Sequence, residues 1–308
     1  MSLERLSSIL VVVADPFRRD QLAVGKAAAI AAKCGAALTL LNVFMLPQPT
    51  PETTLGSRRQ IIASARRERI SRLRTLAAPL QRLGIKVSCA VEWDYPIHDA
   101  IVRQVLALKP DLLMADSHRH GRLARWLLTN TDWELIRHCP CPIWFVRQPK
   151  LSAKPKFLVA VDPRHTHDKP ARLDVRLLQA ATACVSQLGG RISLIHAYQP
   201  TKTLDGANVA RMPVFIEDTQ EMLRKMSAPH GIGAADQHVL PGEPSEVLSS
   251  FADRAGTEIL VMGAVSRSFK KPVIGNTAER VIDRVDCDLL VIKPAGFKSP
   301  VARARPKL

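Results

Sequence analysis

"NTDWELIRHCPCPIWFVR", which begins at Asn130, aligns without a gap with "NTAERVIDRVDCDLLVIK", which begins at Asn276. The offset is 276 − 130 = 146 residues. In each stretch a short helical pattern leads into an apolar run that is typical of a buried strand. A repeat of this length indicates that the chain of 308 residues contains two related structural units.

The predicted elements follow the same order in both halves. A first strand ends at Asp15 in one half and at Asp162 in the other, and an Ala- and Leu-rich helix follows over residues 20–34 and 171–188. The stretches quoted above come last in each half. They are preceded by a second strand, an insertion with a helix, a short strand, a proline-led helix and an apolar strand. Strands rich in Val, Ile and Leu that alternate with helices are typical of parallel sheets covered on both faces.

The fold class follows from this order of elements. The sequence predicts two tandem α/β domains, each a doubly wound open parallel sheet. The boundary is expected near "QPKLSAKPK", where Pro149 and Pro155 interrupt regular structure, which gives domains at 1–150 and 151–308. The last strands, "PIWFVR" and "DLLVIK", would each leave an apolar edge exposed, so we expect them to meet within one chain.

The composition narrows the class of protein. Hydrophobic residues make up 46% of the chain, and no apolar run approaches the roughly 20 residues needed to span a bilayer. Six cysteines without the dense spacing of a disulfide scaffold favour a reducing cytoplasm. Cys139 and Cys141 are expected to be small buried residues, not a redox or metal pair. The start, "MSLERLSSILVVVADP", is interpreted as a first strand and not as a signal peptide.

The charge of the chain is strongly positive. There are 44 Lys and Arg against 28 Asp and Glu, which gives +16 and a pI near 10.1. Such a surface attracts anions of many kinds. The basic residues are spread over helix faces, as in "SRRQIIASARRERISRLRTL", without interleaved aromatic residues or a nucleic-acid module. A specific nucleic-acid site is therefore not expected.

The segment "MGAVSRSFKKPVIGNTAERVI", residues 262–282, is the candidate ligand-binding loop. Gly263 follows an apolar strand, and Gly275 precedes a predicted helix whose first backbone N–H groups would be unpaired and would suit a phosphate. Asn276 and Glu279 also have the spacing of a helix capping box, and this alternative explains both residues without a ligand.

The tandem units, the strand-terminal Asp15 and Asp162, and "IGNTAERVIDRVDCDLLVIKP" resemble the universal stress protein family, in particular its two-domain E type. The resemblance covers nearly the whole chain. It implies a cytoplasmic stress-response protein that is not an enzyme, or is at most a weak ATPase, and whose domains pair through their last strands. Further association of the tandem chain into a homodimer is left open.

ATP-binding members of that family carry Gly, two residues, Gly, nine residues, Gly and then Ser or Thr. Here Ser266 replaces the second Gly, the loop is one residue short, and Asn276 replaces Ser or Thr. The resemblance therefore implies a small phosphate-bearing ligand in the second half, with ATP as one candidate cofactor. The residues expected to bind it are Asp162, Gly263, Ser266, Gly275, Asn276 and Thr277.

The first half is expected to lack a nucleotide site. Asp116 stands where the second half has Gly263, and a carboxylate repels a phosphate. In the nucleotide-binding relatives the strand-terminal Asp lies beside the adenine. For Asp15 and Asp162 the alternative is that each caps a turn beside the following proline.

No metal site and no catalytic residue are predicted. His118 with His120 and His165 with His167 could suggest a metal, but no accompanying Cys or carboxylate has ligand spacing. A Ser/His/Asp set and a P-loop are also missing from the sequence.

Three functions stay open on the sequence. The leading one is a ligand-binding or sensing pseudo-dimer, and the second is an ATP-binding switch or slow ATPase that uses the loop of the second half. The third is a binder of an amphipathic ligand whose apolar tail contacts the insertion helix, although that helix could equally pack on its own domain. The apolar residues of the insertion are Met212, Val214, Phe215, Ile216, Met222 and Met226.

Overall fold

The computed structural model describes most of the chain. The described residues are 3–45, 55–117, 130–164, 172–200, 212–264, 280–282 and 284–302, and only the backbone is described for residues 55–57 and 130. The predicted site residues Ser266, Gly275, Asn276 and Thr277 lie outside these ranges.

The first half alternates strands and helices as predicted. Its elements are β1 (Ser8–Val12), α1 (Leu22–Cys34), β2 (Ala37–Phe44), α2 (Leu55–Arg82), β3 (Val87–Trp93), α3 (Ile97–Leu108), β4 (Leu112–Asp116), α4 (Asn130–His138) and β5 (Ile143–Val146). The helix predicted over residues 20–34 is α1.

The second half repeats this order. Its elements are β6 (Lys156–Ala160), α5 (Leu173–Leu188), β7 (Arg191–Tyr198), α6 (Met212–Ser227), β8 (Gln237–Pro241), α7 (Pro244–Ala255), β9 (Ile259–Gly263) and β10 (Asp288–Ile292), with residues 280–282 helical before β10. The helix predicted over residues 171–188 is α5.

Local chemistry marks the ends of these helices. Gly35 follows α1 with φ 71, a left-handed conformation that costs glycine little, and its N–H donates to Ala31 O. Glu243 precedes α7, and its carboxylate accepts from Ser245 N at 2.7 Å and from Glu246 N at 3.2 Å. These contacts pair backbone groups that a helix end leaves open.

All ten strands form one sheet, in the order β3-β2-β1-β4-β5-β10-β9-β6-β7-β8. Every neighbouring pair is parallel except β5 and β10, which are antiparallel. The predicted meeting of the two last strands is therefore confirmed. The fold class is confirmed too, because each half is a doubly wound open parallel sheet.

The junction of β5 and β10 has a local twofold symmetry. Trp144 lies opposite Leu290, and the repeat makes these two residues equivalent, since 144 + 146 = 290. Phe145 pairs with Leu289, the equivalent of Ile143, and Ile143 pairs with Val291, the equivalent of Phe145. The two halves are thus arranged as a dimer built from one chain.

Two hydrophobic cores lie on opposite faces of the sheet, and each contains residues from both halves. Ile9 and Val11 point into one core and Leu10 into the other, as the alternation of a strand requires. Helices α1 and α5 contribute Ile30 and Leu177 to the first core, and residues of α3, α4 and α7 contribute to the second. The halves therefore share buried apolar surface on both faces.

Within the described residues no helix is long and apolar enough to cross a membrane.

Candidate functional site

Asp162 and Gly263 lie together at the carboxyl edge of the second-half sheet. Gly263 ends β9, Asp162 comes shortly after β6, and these strands are parallel neighbours with Val159 opposite Val261. Open α/β sheets bind ligands at this kind of edge. Two of the predicted binding residues are therefore brought together.

Gly263 also has a packing reason to be glycine. A Cβ at this position would lie 2.5 Å from Leu173 Cδ2 and 3.0 Å from Leu173 Cγ, which is closer than carbon atoms approach. Leu173 is the fully buried first residue of α5. The packing of Leu173 is therefore sufficient to require glycine at position 263, without any ligand.

The Asp162 carboxylate lies beside a buried imidazole. Asp162 Oδ1 is 4.0 Å from His196 Nδ1, and that nitrogen is 3.1 Å from Val161 O. The Asp162 N–H donates to Asp174 Oδ2 at 3.1 Å, and Asp174 is fully buried in the first turn of α5. Asp162 thus joins the edge of the sheet to α5, and its side chain keeps only 13% of its surface exposed.

The insertion helix α6 packs on its own domain. Arg164 Nε donates to Thr219 Oγ1 at 2.8 Å, and the guanidinium lies 4.2 Å from the centre of the Phe215 ring. Phe215 itself is buried against Tyr198, with ring centres 5.2 Å apart. Val214 and Met222 remain 58% and 40% exposed. The apolar side of α6 is therefore mostly used within the fold.

At the carboxyl edge of the first-half sheet, the side chain of Asp116 is bonded to a helix N-terminus. Asp116, at the end of β4, accepts a hydrogen bond from Ala23 N at 2.5 Å. Ala23 is the second residue of α1, so a carboxylate already pairs with the amide that an anionic ligand would use at this helix N-terminus. The absence of a phosphate site in the first half stays a prediction, and the structure shows that Asp116 bonds to this helix N-terminus.

A cavity of about 220 Å³ lies beside Asp116, between β1, β4, α3 and α4. It is lined mainly by apolar side chains, with Asp116, Thr131 and Asp132 as its polar members. Its volume is below the roughly 300–1,000 Å³ of ordinary ligand pockets. Its two carboxylates are chemically unsuited to a phosphate.

Asp15 caps a turn, which was the alternative to a ligand contact for this residue. Its Oδ1 accepts from Phe17 N at 2.9 Å, and the residue is exposed. Such a contact stabilises a turn without any ligand.

The junction of the halves contains a buried charge cluster that the sequence did not reveal. Asp288 Oδ2 accepts from Lys26 Nζ at 2.5 Å and from Trp144 Nε1 at 2.7 Å. Asp288 Oδ1 accepts from the backbone N–H groups of Arg147 at 2.9 Å and Gln148 at 3.0 Å. Lys26 and Asp288 are 2% and 0% exposed. One carboxylate of the second half therefore pairs with four groups of the first half.

Two buried basic side chains cross the junction in opposite directions. Arg147 donates to the backbone carbonyl groups of Ile282, at 2.8 Å, and Val285. Its equivalent is Lys293, since 147 + 146 = 293, and Lys293 Nζ lies 3.4 Å from Arg137 O at the end of α4. Burial lowers the pKa of Lys293 to about 8. Each half thus caps the last helix of the other.

The cysteines are free thiols. Cys139 and Cys141 are fully buried, as expected. Burial raises the pKa of the Cys139 thiol to about 12, so it is not a thiolate at neutral pH. The pairs His118 with His120 and His165 with His167 lie outside the described residues.

These observations define a class of protein: two doubly wound α/β domains in one chain, joined edge to edge through their last strands. The family model described as "Universal stress protein family" matches residues 7–147 and again residues 155–293. The chain belongs to the universal stress protein family, in its two-domain form.

Relatives of the same length support this assignment. The chain is 28% identical over 315 residues to Universal stress protein E of Photorhabdus laumondii, covering 96% of this chain and 98% of that protein. It is 29% identical over 310 residues to Universal stress protein E of Escherichia coli K12, covering 95% and 96%.

Solved structures share the fold. A protein of Pseudomonas aeruginosa UCBPP-PA14 superimposes with a TM-score of 0.74 at 24% identity, over 95% of each chain. A universal stress protein from Archaeoglobus fulgidus DSM 4304 gives a TM-score of 0.64 at 17% identity, over 92% of this chain and 98% of that one.

Proposed function

We propose that this universal stress protein is a cytoplasmic binding protein in which only the second half holds a small phosphate-bearing ligand. The ligand lies at the carboxyl edge of the sheet, against Asp162 and Gly263 and the loop residues Ser266, Gly275, Asn276 and Thr277. The protein acts as a sensor or holder of this ligand and not as an enzyme. The first half serves as a permanently attached partner domain.

The observation that carries the proposal is the difference between the two equivalent strand ends. In the first half, the Asp116 carboxylate accepts a hydrogen bond from Ala23 N, at the N-terminus of α1, at 2.5 Å. In the second half, β9 ends in the uncharged Gly263. Because like charges repel strongly in a partly buried site, Asp116 disfavours a phosphate at the end of β4, whereas the equivalent position at the end of β9 has no carboxylate. The acids of the second edge, Asp162 and Asp174, lie after β6 and in the first turn of α5.

The packing of Leu173 limits how the ligand approaches. Leu173 Cδ2 occupies the space next to the Cα of Gly263. A phosphate therefore reaches the backbone beyond Gly263, toward Ser266 and Gly275, or displaces the end of a flexible leucine side chain. The proposal thus assigns the phosphate contact to the loop and gives Gly263 a mainly structural role.

Equilibrium dialysis of labelled ATP with magnesium against the purified chain tests the proposal. We expect saturable binding that Gly275→Val weakens strongly, since a side chain there blocks the approach of backbone to phosphate. The matched control is Thr129→Val, because position 129 is the first-half equivalent of position 275, and it should leave binding unchanged.

The other outcomes separate the remaining functions. Phosphate release from the bound ATP would establish the slow ATPase. Failure to bind millimolar ATP would eliminate the nucleotide, and native mass spectrometry of the protein as isolated would then show whether a different phosphate-bearing ligand or an amphipathic one is present. A phosphate-bearing ligand bound in the first half alone would overturn the proposal.

A further inference from the structure

Three side chains with metal-binding atoms meet between α3 and α4 of the first half. One potential ligand atom of each of His98, Glu134 and His138 lies within 4.8 Å of those of the other two. His98 is the second residue of α3, and Glu134 and His138 lie one turn apart on α4. All three side chains are mostly buried, with 20%, 29% and 16% of their surface exposed.

One nitrogen of this cluster lacks a hydrogen bond. His138 Nδ1 is buried and receives no hydrogen bond within the described part of the chain, although Glu134 Oε2 lies 3.5 Å away. A buried imidazole nitrogen without a partner is costly unless something else satisfies it. A metal ion would do so, because neutral imidazole nitrogen is a common metal ligand.

A neutral imidazole presents a lone pair to a metal ion, whereas a protonated one does not. Asp99 Oδ1 lies 3.4 Å from His98 Nε2, where it can orient the ring or join the ligands.

We propose that His98, Glu134 and His138 bind a divalent transition-metal ion, with zinc as the ion that suits them best. Two imidazole nitrogens and one carboxylate oxygen form a donor set that zinc uses while keeping a fourth position for water. Ligand atoms around a tetrahedral zinc are about 3.3 Å apart. Glu134 Oε2 and His138 Nδ1 are 3.5 Å apart and already near this spacing, so His98 must approach them by at most about 1.5 Å. Rotation of the partly exposed His98 and Glu134 side chains supplies such a movement.

The equivalent place in the second half supports the proposal by contrast. Aligning the helix ends Lys109 and Gly256 makes Ser245 the equivalent of His98, and the offset of 146 makes Arg284 the equivalent of His138. There Arg284 Nη1 donates to Ser245 Oγ at 3.1 Å and lies 3.4 Å from Glu246 Oε1.

Each helix pair is thus joined by a different chemistry. In the second half a guanidinium supplies the positive charge between acceptor groups. In the first half the corresponding positions hold the imidazoles of His98 and His138, and the guanidinium of Arg137 contacts only the outer oxygen of Glu134, Oε1, at 2.7 Å. A metal ion would supply the positive charge that joins the two helices. The ion would fasten α4 to α3 next to the cavity, whose wall includes Thr131, Asp132 and Leu135 of α4.

The test is a zinc titration of tag-free protein from which bound metal has first been removed with a chelator. A chromophoric chelator competes with the protein for the added zinc, and its absorbance gives the affinity. We expect one equivalent of zinc per chain. His98→Gln and His138→Gln should each weaken binding at least about 100-fold, and Asp99→Asn about tenfold. The control His118→Gln/His120→Gln removes the other first-half histidine pair and should leave the affinity unchanged.

Glu134 gives a test in the opposite direction. Arg137 Nη1 donates to Glu134 Oε1 at 2.7 Å and so competes with a metal for this carboxylate. Arg137→Gln should therefore tighten zinc binding severalfold, while Glu134→Gln should weaken it. An affinity unchanged or reduced in Arg137→Gln would remove Glu134 from the proposed ligands.

The proposal is overturned if wild-type protein binds no zinc at micromolar concentration, or if the two single histidine variants bind it as wild type does. Far-UV circular dichroism without zinc checks that each variant is folded. X-ray absorption at the zinc edge of the wild-type protein gives an answer independent of any variant. A shell with two imidazoles and no sulfur is expected, and a sulfur or water-only shell would contradict the assignment.

Discussion

The two halves share one backbone plan but close their carboxyl edges with different side chains. Asp116 bonds to the N-terminus of α1 in the first half, whereas Leu173 packs on Gly263 in the second. The sheet pairing at Trp144 and Leu290 is nevertheless symmetric. The symmetry of this protein therefore belongs to its backbone, whereas the chemistry available for ligands differs between equivalent places.

The largest effect is expected where the halves join. Ile292, in the second half, is 1% exposed on β10, so Ile292→Lys buries an unpaired charge and should cost about 5 kcal/mol. All four tryptophans lie in the first half, and Trp144 also contacts Asp288 and Phe157 of the second half, so their fluorescence reports the unfolding of the first half and the opening of the junction. We expect Ile292→Lys to shift this tryptophan transition in urea, because the shared sheet and cores couple the two halves.

The matching change in the first half is Val146→Lys, which should lower the stability of both halves in the same way. Ile61→Lys is the control, because Ile61 is 49% exposed on α2. A tryptophan transition unmoved by Ile292→Lys would show that the two halves unfold independently.

The next effect concerns the Asp288 cluster, which has no counterpart in the first half because position 142 is proline. Asp288→Ala leaves the buried Lys26 unpaired and should cost roughly 3–5 kcal/mol. Lys26→Met/Asp288→Leu should cost clearly less than the sum of the single changes, since no charge then stays buried alone. Urea unfolding of the four proteins measures this coupling, and strict additivity would contradict it.

A third prediction compares the equivalent residues Arg147 and Lys293. Lys293 has a folded pKa of about 8 against 10.5 for an ordinary lysine. Between these pH values the unfolded chain binds the proton that the folded chain has released, so this lysine's contribution to stability rises with pH. Relative to Lys293→Met, wild type should therefore gain about 3 kcal/mol of unfolding free energy from pH 7 to pH 10.5.

Arg147 provides the control for that pH dependence. Arg147→Met should cost about 2 kcal/mol because carbonyl groups that Arg147 caps lose their donor, and the cost should not change with pH in this range. Guanidine unfolding at pH 7, 9 and 10.5 gives both curves. Equal pH dependence of the two methionine variants relative to wild type would refute the difference.

The smallest expected effects lie at the carboxyl edges. Gly263→Ala forces Leu173 to move and should cost about 1–3 kcal/mol. Asp116→Asn weakens one helix-capping contact and should cost about 1 kcal/mol or less. Thermal unfolding of both variants ranks them, and a larger loss for Asp116→Asn would reverse our interpretation of the two edges.

Much of the fold could be predicted because it depends on patterns that are local or repeated. Apolar strands alternating with helices predicted the parallel sheets, and the apolar edges that the two last strands would otherwise expose predicted that these strands would pair. Asp162 and Gly263 were placed correctly at one edge, because parallel strands all end on the same side of a sheet. The roles of the loop residues from Ser266 to Thr277 stay predictions.

The side-chain clusters could not be predicted in this way. Lys26 and Asp288 are 262 positions apart, and both are residue types that are usually exposed, so the sequence does not indicate that they are buried. His98 and His138 come from separate helices, and the Glu134 to His138 spacing was the one local signal of their cluster. Only packing of α3 against α4 brings those atoms within 4.8 Å.

By itself the sequence determined the order of the elements and the two-fold repeat, because hydrophobic periodicity and turn residues act over a few positions along the chain. The family followed from the resemblance of the tandem units and of "IGNTAERVIDRVDCDLLVIKP" to its members. The tertiary structure alone decided which charges are buried, that Leu173 explains Gly263, and that Asp116 caps α1. These outcomes depend on distances between residues far apart in sequence, and such distances are fixed only when the sheet and its helices pack together.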